Sequence, residues 1–157
     1  MACEKVKAYL ESVGFGDRFT VREMTADTVE HAAESIGCLP AQIAKTMSFL
    51  LQDRVIVIVA SGDTKIANAK YKATFGAKAA MIPFDRVEEL TGHAPGGVCP
   101  FALNEGVKVY LDESIKRFEV SHASGGSHNT TVGLTPAEFE QITNPVFWVD
   151  VCALREG

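Results

Sequence analysis

The run Gly92-His93-Ala94-Pro95-Gly96-Gly97-Val98-Cys99-Pro100-Phe101 sets three glycines and two prolines in ten residues, and it constrains the fold more than any other stretch. Neither a regular helix nor a central strand tolerates that density of breakers. Glycine accepts positive φ and lets a ligand come close to backbone N–H groups, while the prolines stiffen the path. The stretch therefore reads either as a long, well-fixed loop from a helix to a strand, or as a holder of backbone donors for a bound oxygen.

The elements around this loop follow from periodicity and caps. Val6, Tyr9, Leu10 and Val13 fall at helical spacing over residues 4 to 13, with Gly14 as the stop. Residues 18 to 24 form a weakly patterned strand. Asp27-Thr28-Val29-Glu30 reads as a capping box ahead of a helix with a buried stripe of Val29, Ala32, Ala33 and Ile36, closed by Gly37. Ile43 to Leu51 alternates as a strand, with Lys45 on the same face as Ile43, Met47, Phe49 and Leu51. Asp53-Arg54 turns into Val55 to Val59, which is apolar on both sides and reads as a strand buried on both faces. The pair makes a hairpin at the heart of a sheet.

Asp63 then caps a helix running to Phe75 and ended by Gly76, a short strand covers Ala79 to Ile82, and Asp85 with Glu88 form a second capping box. Beyond the glycine loop, strands are expected at Val107 to Leu111, around Phe118 and Val120, at Ser127 to Val132 and at Val146 to Val151. Thr135-Pro136-Ala137-Glu138 is a third capping box. Helices interleave irregularly with strands across 157 residues. This implies one α+β domain spanning residues 1–157, with a mixed, mostly antiparallel sheet.

Bulk properties exclude several roles. The longest apolar run, Val55 to Ala60, is far short of the ~20 residues of a membrane span, and no signal-peptide layout opens the chain, so a cytoplasmic protein without a membrane partner is expected. Cys3, Cys38, Cys99 and Cys152 lie far apart without a CxxC pair, so reduced thiols are expected and neither a zinc ribbon nor a redox motif is supported. A net charge of −5 argues against coating nucleic acid, and no DNA partner is expected. Between Lys65 and Phe84, however, Lys65, Lys70, Lys72 and Lys78 occur without an acid, as either a solvated helix face or a patch for one folded RNA.

Three features carry possible chemistry. Lys45 on an apolar strand face needs either an edge at which to snorkel or an anion. Ala123 to Asn129 sets the glycine pair Gly125-Gly126 among hydroxyl and amide groups, as a hairpin turn or as a second backbone cradle. His122 and His128 could face each other across that turn, yet no carboxylate or cysteine completes a metal set, and no metal or cofactor is expected. Ser61-Gly62-Asp63-Thr64-Lys65 lacks phosphate-loop spacing and reads as a helix cap.

The ordered set Ile43 to Met47, Ala60 to Asp63, Phe75 to Lys78, Glu88 to Phe101 and Ser124 to Gly126 resembles the YbaK family, which includes the editing domain inserted in bacterial prolyl-tRNA synthetases. The likeness runs over residues 27 to 143. It implies a partly barrel-like sheet with flanking helices and hydrolysis of mischarged aminoacyl-tRNA, chiefly a cysteinyl or alanyl ester on the proline tRNA. A synthetase rejects a smaller amino acid by only ~1–3 kcal/mol per methylene, so a second, hydrolytic site must sort the products.

By the same resemblance, Lys45 is the family's essential lysine, and the loop of Gly96, Gly97 and Pro100 offers N–H groups to the ester carbonyl as charge develops. Thr46, Val98, Cys99, Phe101, Ser124, Gly125, Gly126 and Thr131 line the substrate site; Lys65, Lys70 and Lys72 of the basic run would then face the tRNA. A ribose hydroxyl or the substrate's own thiol would supply the reacting group, since no Ser-His-Asp or Cys-His arrangement is supported by spacing. Partners would be aminoacyl-tRNA and a synthetase such as that for proline. The chain departs from the family at Cys99, where serine is frequent; at Ala102, in place of glycine; at Thr131, in place of the aspartate of the cysteine-specific branch; and at Gly125, in place of a histidine of the alanine-specific branch. A noncatalytic module that grips tRNA or a synthetase is the rival reading.

Overall fold

The structure, a computed structural model, describes residues 2–23 and 28–155. In chain order its elements are α1 (Ala2–Ser12), β1 (Phe19–Val21), α2 (Val29–Ile36), β2 (Ala44–Leu51), β3 (Arg54–Ser61), β4 (Thr64–Ile66), α3 (Asn68–Phe75), α4 (Val87–Thr91), β5 (Lys108–Asp112), β6 (Ser121–Ser124), β7 (Thr130–Leu134), α5 (Pro136–Thr143), β8 (Trp148–Val149) and β9 (Cys152–Leu154). The main sheet runs β2-β3-β5-β8, with β2 and β3 antiparallel and the two remaining pairings parallel. A three-stranded antiparallel sheet, β1-β7-β6, adjoins it through a bridge between Ile43 and His122, and β4 pairs with β9 alone. The fold is α+β and antiparallel-rich, and the sheets do not close into a barrel. No helix among the described residues is long and apolar enough to cross a membrane.

Alternation along the β2–β3 hairpin divides the interior in two. Val57 and Val59 face one core with Ala44, Cys99, Phe101, Ala123, Leu134 and Phe139. Ile56, Ile58 and Ala60 face the other with Phe49, Leu51, Tyr71 and Val151. β3 is buried on both faces because helices and loops cover both sides. β2, by contrast, is an edge strand of its sheet, and that position creates the site described below.

Several sequence expectations are revised. Asp63 does not cap a helix: it sits in the turn before β4, paired with Arg117 at 2.6 Å, and α3 starts only at Asn68 because Thr64–Ile66 pair with β9. The strand at Ala79 to Ile82 shrinks to one bridge between Met81 and Phe49, since Pro83 ends the pairing. Asp85 makes no cap, and a single 3-10 turn, Phe84–Arg86, leads into α4. The strand expected around Phe118 and Val120 begins at Ser121. The one expected at Ser127 begins at Thr130, leaving Ser127 in the turn, and Val146 to Val151 divides between β8 and the approach to β9.

Asp27 lies outside the described residues; the cap of α2 is Thr28, whose hydroxyl accepts the His31 N–H at 3.1 Å. At α5 the capping box is formed as read: Thr135 and Glu138 bond reciprocally, and Glu138 also pairs with Arg18 at 2.7 Å. The Arg18 bond and the cap hold the Glu138 carboxyl below its usual pKa against burial.

Candidate active site

A cavity of about 520 Å³ opens along the free edge of β2. Of the residues expected at a site, Lys45, Thr46, Gly96, Val98, Ser124 and Thr131 line it. The chain reaches this arrangement through three local devices. The Ile43 bridge carries β6 alongside the start of β2, the β6–β7 turn brings Ser124 and Ser127 to the rim, and the Gly92 to Phe101 loop folds onto that turn.

The two glycine loops meet by direct packing. A Cβ on Gly97 would come to 2.8 Å from the Gly126 carbonyl oxygen, and one on Gly96 to 2.5 Å from Nε2 of His128. Gly96 also has φ +84°, a conformation that L side chains rarely adopt. Several loop N–H groups are used internally: Gly97 donates to Ala94 (2.9 Å), Gly125 to Thr130 (3.1 Å) and Gly126 to Ser124 Oγ (3.1 Å). Gly97, Gly125 and Gly126 thus serve loop-on-loop contact. Pro95, Gly96 and Val98 are the residues of the first loop that line the cavity.

Lys45 is half-buried, and its Nζ donates to the Thr64 carbonyl oxygen. Burial lowers its pKa most, with Arg155 acting the same way and Cys152, Asp63 and Glu30 opposing. An ammonium has three donors, so this contact leaves two for an incoming oxygen. The amine is therefore neither buried without a partner nor free in solvent.

Cys99, Pro100 and Phe101 do not reach the cavity. Cys99 and Phe101 are 0% exposed in the core, with Cys99 Sγ 3.5 Å from Nε2 of His93, which itself bonds the Phe101 carbonyl at 2.7 Å. Burial pushes the Cys99 thiol up to about 12, and it lowers the pKa of His93. The pair resembles a catalytic dyad in composition, but a protonated thiol sealed from water is no nucleophile.

The exposed lysines Lys65, Lys70 and Lys72 do not line the cavity; Lys70 pairs with Asp150 at 3.0 Å and borders a separate depression with Asp112 and Arg117.

Other residues of the site were not singled out from the sequence as substrate-binding. His122 and His128 both line the cavity, with no group of three potential metal ligands among the described residues. Burial first, then Arg22, lowers the His122 pKa. Arg22 donates to Thr131 Oγ1 at 3.1 Å, so the residue standing in place of an aspartate is held by a guanidinium. Val29, Ala32 and Ile36, expected as core, form a cavity wall instead, because only Ala33 of that helix is buried. Amphipathic spacing marks a covered face without saying whether protein or ligand covers it.

Comparison with known proteins agrees with this geometry. Residues 23–142 match the family model for the aminoacyl-tRNA editing domain. The uncharacterized protein YwhH of Bacillus subtilis is 43% identical over 153 residues, covering 97% of this chain and 98% of that protein. The proline--tRNA ligase of Bacillus licheniformis is 24% identical over 140 residues, which are 87% of this chain but only 24% of the ligase. A crystal structure described as that of a candidate trans-editing enzyme for prolyl tRNA synthetase superposes with a TM-score of 0.86 at 28% identity, covering 99% of this chain and 98% of the other. The chain belongs to the aminoacyl-tRNA editing domain family.

Proposed function

We propose that this protein is a trans-acting deacylase that hydrolyses the ester of a mischarged aminoacyl-tRNA, most fittingly a small amino acid of the cysteine or alanine type on the proline tRNA, without a cofactor. The observation that carries the proposal is the convergence of Lys45 with Gly96, Val98 and Ser124 on one cavity, in a chain of the editing family. The reaction needs little more than positioning and charge stabilisation. Lys45 would hold a phosphate or carbonyl oxygen of the acceptor end, and the Gly96 and Val98 N–H groups would face the ester oxygen as it gains charge.

Neither serine of the β6–β7 turn is free to attack. Ser124 Oγ is tied between the Gly126 N–H and the Ser127 carbonyl, and Ser127 Oγ between Asn129 and Thr130. The Cys99–His93 pair is sealed away. The attacking oxygen is therefore assigned to water positioned by the substrate's ribose hydroxyl. Its addition to the ester carbonyl and loss of the ribose oxygen give free amino acid and uncharged tRNA. His128, exposed beside Gly96, is placed to meet the substrate's ammonium or carboxyl region. Such an activity belongs in the cytoplasm, next to a synthetase.

The test is incubation of the purified protein with a panel of mischarged tRNAs. Release of free amino acid from at least one, lost in Lys45→Ala, is expected; release from none would favour a noncatalytic module that binds tRNA or a synthetase.

A further inference from the structure

The carbonyl that seats Lys45 is set by the register of a different strand pair. β4 meets β9 so that the Arg155 N–H donates to the Asp63 carbonyl at 2.8 Å and the Ala67 N–H to the Val151 carbonyl at 2.8 Å, and residues 63 and 67 therefore face β9. Alternation turns the N–H and C=O of Thr64 the other way. Thr64 is 2% exposed, so its carbonyl is cut off from bulk water, and the Lys45 ammonium is the donor it meets. Where Thr64 is held thus decides where the two remaining ammonium donors point.

Thr64 is held by the segment before it, Ser61-Gly62-Asp63, which is tied on three sides. Gly62 donates to the Ile43 carbonyl at 2.7 Å, two residues ahead of Lys45. Ser61 donates its N–H to Ser114 Oγ at 3.0 Å and its hydroxyl to the Ser114 carbonyl at 3.1 Å, and its own carbonyl accepts the Thr64 hydroxyl at 2.7 Å. Asp63 receives a fork from Arg117, from Nη2 to Oδ1 at 2.6 Å and from Nη1 to Oδ2 at 3.2 Å, while Arg117 Nε donates to the Ser114 carbonyl at 3.0 Å. Ser114 and Arg117 belong to the 3-10 helix Glu113–Arg117. The buried Asp112 anchors that helix in turn, its two carboxylate oxygens accepting the Ser114 N–H at 3.0 Å and the Val151 N–H at 2.9 Å.

Resting on the editing reading, we propose that Arg117 is a positioning residue: by pinning Asp63 it holds the Thr64 carbonyl, and through it the Lys45 ammonium, in the reacting geometry. Neither Arg117 nor Asp63 lines the cavity, so the effect runs through the seat and not through contact with substrate. The side chains of the pair are 39% and 32% exposed, and an ion pair that open to water adds little to stability. What a guanidinium fork fixes is direction. It also occupies both oxygens of Asp63, a carboxylate whose field reaches Lys45, and so keeps that acid from drawing the ammonium off the substrate.

The test is steady-state deacylation by the whole protein, on the mischarged tRNA it cleaves best, with melting temperatures alongside. Arg117→Met is expected to lower kcat about 10-fold with KM within about twofold, because a misdirected ammonium still attracts the substrate but no longer meets it in line. Asp63→Asn should lose as much, and the double variant no more than either single one, since both break one contact. Asp63→Asn carries the test by itself if Arg117→Met melts early. Lys116→Met, which breaks the Lys116–Glu113 pair on the same 3-10 helix, should keep kcat within about twofold. A second readout needs no activity: in protein labelled with 15N-lysine, the Lys45 ammonium signal, identified by its loss in Lys45→Ala, should exchange with water at least about 3-fold faster in Arg117→Met. A kcat near wild type in Arg117→Met and Asp63→Asn, additive losses in the double variant, an equal loss in Lys116→Met, or an unchanged ammonium exchange rate would overturn the assignment. If wild type deacylates no tRNA, the editing reading falls, and the exchange rate still decides whether Arg117 positions Lys45.

Discussion

His93 shows how a residue can carry the signs of chemistry and yet be structural. Its Nε2 donates to the Phe101 carbonyl, and its Nδ1 is buried without a partner. A second proton would land on that unpartnered nitrogen, so the fold disfavours the charged ring. His93 and His122 are both held below the usual histidine value, chiefly by burial. The unfolded chain thus binds more protons than the folded one as pH falls below about 6.5. From these two histidines stability should be flat between about pH 7.5 and 6.5 and decline as the medium is acidified toward pH 5, by about 1.4 kcal/mol per lowered pKa unit. Urea midpoints at pH 7.5 and pH 5.0 check this, and His93→Gln should shrink the difference.

Cys99 follows the same logic: Cys99→Ser should leave deacylation unchanged and cost about 1 kcal/mol, and the native thiol should resist alkylation until the protein unfolds. Fast alkylation of the folded protein at Cys99 would contradict its burial. In the sequence Cys99 shared a loop with Gly96 and could not be separated from the site. Only the turn geometry sends Val98 to the cavity and its neighbour to the core.

At the scale of elements, the glycine loops act as a pair. Gly97→Ala would drive a methyl into the Gly126 carbonyl, which is backbone and cannot move aside cheaply. The substitution should cost about 1–3 kcal/mol and lower deacylation by more than the fraction unfolded, because the Gly96 and Val98 backbones move with it. A thermal melt beside a kcat measurement reads both effects. The presence of two glycine turns was legible in the sequence; their mutual contact was not, since Gly97 and Gly126 lie 29 positions apart along the chain. The β2–β3 hairpin was equally legible from alternation, whereas its edge position was not, because edge status depends on which distant strand fails to pair. The helix expected from Asp63 failed for a related reason: the β4–β9 pairing, set 88 residues apart, overrides a local cap.

For the whole molecule, charge and architecture together set how a large anion is met. With −5 overall, and with Lys65, Lys70 and Lys72 outside the cavity, few phosphates can be neutralised at the site. The logarithm of KM for an aminoacyl-tRNA should rise with the logarithm of salt by a slope of only about 2, well below that of proteins that track a backbone. A steep slope, or a large effect of Lys72→Ala, would restore the basic patch to the interface.

The most direct test of the account is the single-turnover deacylation rate of Lys45→Ala on the mischarged tRNA that wild type cleaves best, with the melting temperature measured alongside. The account predicts a loss of about 100-fold or more with the fold intact. A rate near that of wild type would contradict it.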